Sequence, residues 1–440
     1  MTGRIDFDRE MAAYLEARST SQVPDGLRDA ALAGIEATRQ RPGWLRLEWW
    51  LPARLADRAK WASRTAIVLA AVALMLALAI ALGVFIGSRH RLPQPLGLAK
   101  PGLIAFELNG DIYLANADGT GRTQLTSGQD IDTDATWSPD GTLIAYESEQ
   151  TADLSTSVVV MGTDGNHRIT LADQLSEAGD LAWSADSRHV AFSAHHVGEE
   201  AFHIFVANVD HPPAVELGSP DVQGIEPSWS PDGKRIAFKH TDPCCSTSTL
   251  WLMGADGSDP HELPGSPTAT SSAYDYGLWR AAWSPTGQQL ALLASGRGGA
   301  VSAYPHDVYV VGSDGSGSLD VTNSLDDESW PSWSPEGTRI AFVRLSPEGD
   351  NVGRFVVSGP DGSGPGTLIG PLVTADAPVW SPDGSRLLGY AYDPSVGSTE
   401  AIAIFDVSGR APPILIPAAG LRGATLLRSV SSASWQRLAP

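Results

Sequence analysis

Hydrophobic positions fall into three patterns along the chain. Near the start, Phe7, Met11, Tyr14 and Leu15 recur at the spacing of one helix face, and Leu27, Ala31 and Ile35 form a second stripe behind Pro24-Asp25, a helix-start signal. From Ala66 to Ile86, all 21 residues are apolar or Gly. At about 1.5 Å rise per residue this run covers roughly 30 Å, the thickness of a bilayer's hydrocarbon core. Beyond residue 102 the pattern changes to short β-type runs separated by Gly, Pro, Asp and Ser. The expected organisation is a helical segment over 1–60, a transmembrane helix over 66–86, a stalk over 87–102 and a β domain over 103–440.

Within the β domain one sequence unit recurs. Trp-Ser-Pro-Asp-Gly stands at Trp137, Trp229 and Trp380, with variants at Trp183, Trp283 and Trp333 and a bare Trp435. Successive tryptophans are 46, 46, 54, 50, 47 and 55 residues apart. Each full marker precedes a run such as Ile236-Ala-Phe or Leu143-Ile-Ala-Tyr, then a second such as Val308-Tyr-Val-Val, then an Asp-Gly turn and a short closing run. Four strands every fifty or so residues is the period of a propeller blade. The segment Leu103-Ile-Ala-Phe, Ile112-Tyr-Leu-Ala and Gln124-Leu-Thr lacks a tryptophan strand before it, while Ser429 to Gln436 reads as a tryptophan strand without successors. The two ends therefore complete one another. The predicted fold is all-β, a seven-bladed β-propeller closed by the C-terminal strand and preceded by a short α-helical segment and one transmembrane helix.

These motifs resemble the TolB-like propeller family, across about 335 residues. The resemblance implies a fold that hosts many functions, so function must be sought in the loops. The marker tryptophans are expected as packing between blades, and each Asp of the Pro-Asp-Gly turns as an Asx turn. Related propellers precede the hydrolase domain of prolyl-oligopeptidase-like enzymes, yet Gly-x-Ser-x-Gly is absent and no α/β domain is expected after the last blade.

Charge separates the two parts. Residues 1–100 hold 14 Lys and Arg against 9 Asp and Glu, and residues 101–440 hold 16 against 42. The acidic part repels phosphate backbones, which argues against nucleic acid and favours cations or basic partners. Arg46, Arg54, Arg58, Lys60 and Arg64 before the apolar run outnumber Arg89, Arg91 and Lys100 after it. That bias places the N-terminus in the cytoplasm and the propeller outside the plasma membrane. Trp44, Trp49 and Trp50 among the arginines suit the lipid headgroups.

Candidate chemistry is sparse. The two cysteines, Cys244 and Cys245, are adjacent and provide no framework of bridges. His195 and His196 with Glu199 and Glu200 are the densest metal-type cluster, but neighbours on an extended segment point apart, so no metal site is expected. Catalytic residues and cofactors are not expected, with Ca²⁺ the one ion the acidic rim invites. That rim is Asp130, Asp132 and Asp134; Glu177 and Asp180; Asp221 and Glu226; and Asp326, Asp327 and Glu328, with Tyr274, Tyr276, Trp279 and Trp330 as aromatic neighbours. Carboxylates beside aromatics suit a basic peptide, a cation or a glycan, and a solvated acidic rim explains them equally well.

The layout of a small helical segment, one span and an external propeller resembles membrane-bound anti-sigma regulators. It implies that Phe7, Met11, Tyr14, Leu15, Leu27, Ala31 and Ile35 dock a sigma factor or similar cytoplasmic regulator, without zinc, since no His or Cys precedes the span. Three functional classes stay open: an external sensor binding a protein, peptide or glycan ligand, a cell-envelope scaffold of TolB type, and a lyase- or lactonase-like propeller enzyme.

Overall fold

A computed structural model describes residues 98–438 except 200, 220–221, 242–246, 268, 271–280, 296–305, 347–351, 364–365, 375–376, 394–397 and 418–432. The helical stripes of residues 1–60, the apolar run 66–86, both cysteines, Asp221, Tyr274, Tyr276 and Trp279 lie outside the described residues. Among the described residues every regular element is a β-strand, and no helix there is long and apolar enough to cross a membrane.

Each marker tryptophan except Trp435 ends the first strand of a unit of antiparallel strands. In the Trp137 unit these are Ile131–Trp137, Leu143–Glu149, Thr156–Gly162 and the beginning of Ile169–Trp183, paired in sequence order. β-Branched and aromatic residues fill the two middle strands, where both faces are covered, and Val158, Val160, Ile144 and Ala145 are fully buried. The strand Ile169–Trp183 runs 15 residues without a break, so its first half closes one unit and its second half opens the next.

The turn after each tryptophan is fixed by its own side chains. Ser138 Oγ donates to Asp140 Oδ1 at 2.6 Å, that oxygen accepts the Thr142 N–H at 3.0 Å, and Ser138 Oγ accepts the Leu143 N–H at 3.0 Å. The same set recurs at Ser230 with Asp232 and at Ser381 with Asp383. Gly141 adopts φ 71°, a left-handed conformation open to glycine at little cost. A Cβ there would also run into the Arg437 carbonyl oxygen from the far end of the chain. These Asp residues are Asx turns, as the sequence implied.

Neighbouring units are clamped through the tryptophans. Trp183, Trp283, Trp333 and Trp380 each donate Nε1–H to the carbonyl before the preceding marker tryptophan, on Thr136, Ser228, Ala282 and Ser332, at 3.0–3.2 Å. Between the units lie dry clusters, for example Ala291, Leu293 and Val310 of one unit against Trp333, Ile340 and Phe342 of the next. The chain ends join in the same way. Ser434–Leu438 pairs antiparallel with Lys100–Leu108, placing Trp435 opposite Ile104, ahead of Asp111–Ala115 and Thr123–Gln124. Ile104, Phe106 and Trp435 then share one buried cluster with Leu388, Ile402 and Ile416 of the Trp380 unit.

Candidate binding site

A β-bulge near the end of four first strands creates the site's geometry. The pairing register slips between Thr133 and Thr136, Gly179 and Ala182, Ile225 and Ser228, and Ser329 and Ser332. In each slip the residue three before the tryptophan turns left-handed: Asp134 at φ 54°, Asp180 at 62°, Glu226 at 58° and Trp330 at 55°. A non-glycine residue there stores on the order of 1–3 kcal/mol, and a bulge re-aims its side chain. The same position in four units thus has a strained backbone, and in three of them it is acidic.

These side chains meet residues from the second strand, ten after the tryptophan. Ser193 Oγ donates to Asp180 Oδ2 at 2.6 Å, and the same carboxylate oxygen accepts the Glu226 N–H of the next unit at 3.2 Å. Glu107 faces the charge of Asp134, and burial followed by that charge pushes its carboxyl up from 4.5 to about 7. Glu147, Glu226 and Lys239 occupy related places and are 8%, 2% and 5% exposed. The second-strand position reads Glu107, Glu147, Ser193 and Lys239 in consecutive units, then Leu293, Val343 and Tyr390 in the units that follow. The earlier units are therefore acidic here with a single lysine, and the later ones are apolar with Trp330 and Tyr390.

A second acidic group gathers at the start of the strand Glu328–Trp333. Arg344 Nε donates to Glu328 Oε1 at 3.0 Å and lies 3.4 Å from Asp326 Oδ2, while Ser324 Oγ donates to Glu328 Oε1 at 2.8 Å. Burial dominates all the same and pushes Glu328 up to about 7. Asp327 Oδ1 accepts the His306 N–H at 2.8 Å, and Asp307 accepts from Thr322 Oγ1 at 2.9 Å.

The rim read from sequence is thus distributed over two settings. Asp132, Asp134, Glu177, Asp180, Glu226, Glu328 and Trp330 lie within strands rather than in loops, Glu177 and Asp180 because Ile169–Trp183 runs from one unit straight into the next. Asp130 and Asp326 are exposed, Asp327 half-buried, and Asp132 buried, with its carboxyl raised by that burial against hydrogen bonds from Ser148 and Thr126. Asp180 reaches the Glu226 backbone of the next unit and Asp134 lies beside Glu107, whereas Asp326 and Glu328 gather on Arg344 and Asp327 on His306. Glu107, Glu147 and Lys239 were not singled out from sequence. Their signal was present as a charged residue following Ile-Ala-Phe or Ile-Ala-Tyr, where other units have apolar residues or serine. Among the described residues no three His, Cys, Asp or Glu side chains surround a common point as metal ligands do.

Comparison with known proteins agrees with this architecture. Residues 104–273 match the family model described as TolB beta propeller domain. TolB from Acinetobacter baumannii is 19% identical with a TM-score of 0.42, covering 59% of this chain and 62% of its own, so the chain spans less than two thirds of that protein. A putative TolB from Agrobacterium tumefaciens is 20% identical, with 55% of this chain and 88% of its own covered and a TM-score of 0.39. Oligogalacturonate lyase from Vibrio parahaemolyticus is 13% identical over 72% of this chain and 86% of its own, with a TM-score of 0.50, a likeness of fold. No curated protein matches the chain significantly. On the family match residues 104–273 are similar to the TolB β-propeller domain, and the same tryptophan turns and antiparallel units continue beyond them to Trp435.

Proposed function

We propose that the chain is a membrane-anchored binding propeller whose acidic inner wall holds a cationic protein or peptide outside the membrane. The observation that carries this reading is the series Glu107, Asp134, Glu147, Asp180 and Glu226 at matching positions of consecutive units, with Lys239 the one basic residue among those positions. Asp134 already raises the free energy of the Glu107 carboxylate, and a positive group would relieve it. The wall belongs, in this reading, to a closed ring of seven blades. Support comes from seven buried clusters among the described residues, each shared by consecutive units, the last joining the Trp380 unit to the composite unit of Trp435 and Ile104.

The apolar run Ala66–Ile86 and its basic flank support an anchor with residues 1–60 in the cytoplasm. The stripes of Phe7, Met11, Tyr14 and Leu15 and of Leu27, Ala31 and Ile35 then serve to dock a regulator of the sigma-factor kind, making the whole a sensor. The test is a crosslinking pull-down of the full chain from intact membranes, with partners sorted by side. Asp134→Asn, Asp180→Asn and Glu226→Gln together should remove the external partner, and Met11→Asp with Leu15→Asp the cytoplasmic one. Recovery of an external partner undiminished by the triple variant would refute the acidic wall. Loss of the cytoplasmic partner alone would leave a sensor, and its absence from the wild type a scaffold.

A further inference from the structure

We propose that the loop end of the β domain is a docking face for a basic protein, with Leu154, Val197 and Leu325 as its anchors. In each antiparallel unit the connections from second to third strand, and from fourth strand to the next first strand, lie at one end, and the tryptophan turns lie at the other. Leu154 stands between Leu143–Glu149 and Thr156–Gly162, Val197 between His189–His196 and His203–Asn208, and Leu325 between Leu319–Asp320 and Glu328–Trp333. Hydrogen bonds between successive units keep these ends aligned. The three side chains are 66%, 71% and 96% exposed, whereas the tryptophan-turn end carries, among the described residues, exposed large apolar side chains only at Leu98 and Leu438.

A single exposed leucine is ordinary surface. What sets these residues apart is that the backbone around them is fixed. Leu154 has a left-handed backbone at φ 62°, a conformation that a bulky residue rarely adopts and that glycine takes freely. It is held there by its own N–H on the Gln150 carbonyl at 2.9 Å, by the Gln150 N–H on the Ser155 carbonyl at 2.8 Å, and by Asp153 Oδ1, which accepts from Ser155 Oγ at 2.7 Å. Leu325 lies between two tied neighbours: the Ser324 N–H donates to buried Asp307 Oδ1 at 3.0 Å, and the Asp326 N–H donates to Ser324 Oγ at 3.1 Å. Val197 sits in a turn closed by the Glu199 N–H on the His196 carbonyl at 3.0 Å. Loops fixed before contact lose little freedom on binding, which suits apolar side chains that anchor an interface. Charge then selects the partner. Asp153, Glu199 and Asp326 are exposed within two residues of the anchors, and residues 150–155, 197–202 and 321–327 include no Lys or Arg. Such a face repels anionic headgroups and a second copy of this acidic chain. It fits a protein whose apolar pockets are bordered by Lys or Arg.

This face is a different surface from the acidic inner wall and does not depend on it. The test places the photo-crosslinker azidophenylalanine singly at positions 154, 197 and 325 of the full-length chain in intact cells, with the exposed outer-strand position 415 as control. Irradiation should join 154, 197 and 325 to one and the same protein, identified by mass spectrometry, and should not join 415 to it. Glu199→Gln together with Asp326→Asn should lower the yield from 154 several-fold. Leu154→Gly, which relieves the left-handed leucine, should lower the yield from 325 by about tenfold, the effect of losing one anchor, while the chain melts no lower than the wild type. No adducts, adducts with lipid or with a second copy of this chain, different proteins at the three positions, or yields indifferent to the variants would overturn the proposal. So would a Leu154→Gly chain that melts well below the wild type, since the leucine would then serve the fold.

Discussion

Glu107 gains a proton on folding. Its carboxyl titrates near 4.5 when the chain is unfolded and is pushed to about 7 in the fold, first by burial and then by Asp134. Below the lower value both states are protonated and the group contributes nothing to the pH dependence. Between the two values the unfolded chain releases the proton while the fold retains it, so stability falls as pH rises, by on the order of 3 kcal/mol for this residue. Glu328 acts in the same direction over the same window. The thermal midpoint should therefore drop between pH 5 and 7.5, and Glu107→Gln should flatten part of that slope; a slope unchanged in the variant would place Glu107 outside the acidic wall. At this scale the sequence was legible wherever a side chain acts on its own turn. Asp140 or Asp232 needs only Ser two residues before it and a backbone N–H two after, all within one motif. Asp180 was recognisable as an acid near a tryptophan, but its left-handed backbone and its reach to Ser193 and Glu226 depend on a bulge and on the next unit, neither of which leaves a local signature.

Strands and their order could be read almost directly, because buried middle strands need Ile, Val, Phe and Ala at fixed distances from each tryptophan. The boundary between Ile169 and Trp183 could not, since a continuous strand serving two units carries no turn residue to mark the change. The composite unit is the sharpest inference drawn from strand order. Ser434–Leu438 pairs with Lys100–Leu108, Gln436 Oε1 accepts the Leu103 N–H at 3.1 Å, Gln436 Nε2 donates to the Gly141 carbonyl at 2.8 Å, and Ser434 Oγ donates to the Ala135 carbonyl at 2.9 Å. Deleting residues 429–440 removes these contacts along with buried Trp435, whose loss alone costs about 3–5 kcal/mol by comparison with other large core truncations. It also bares the edge of Lys100–Leu108 and uncovers Ile104 and Phe106. The truncated chain should melt at a lower temperature and over a broader range. Unchanged melting would mean that the C-terminal strand adds nothing to the fold.

At the scale of the whole molecule, the acidic arc opposite Leu293, Trp330, Val343 and Tyr390 gives the ring's inner wall two unlike halves in the proposed function. A partner with basic groups on one side and an apolar or aromatic group on the other fits both, and the anchor at Ala66–Ile86 would keep that encounter on one side of the membrane. Composition made the acidity plain, with 42 acidic against 16 basic residues after position 100. It left open where the charge is concentrated, because that depends on which residues four separate bulges turn to the same side. The most direct test of the acidic wall replaces Trp330 with the photo-crosslinking analogue benzoylphenylalanine in the full-length chain, in intact cells. A second chain carries the analogue at Leu415, which is 52% exposed on an outer strand. The account predicts an adduct with an external protein from position 330, absent from 415, and greatly reduced when Asp134, Asp180 and Glu226 are neutralised. An adduct formed from 415 alone, or one from 330 that persists at full strength without those three charges, would contradict it.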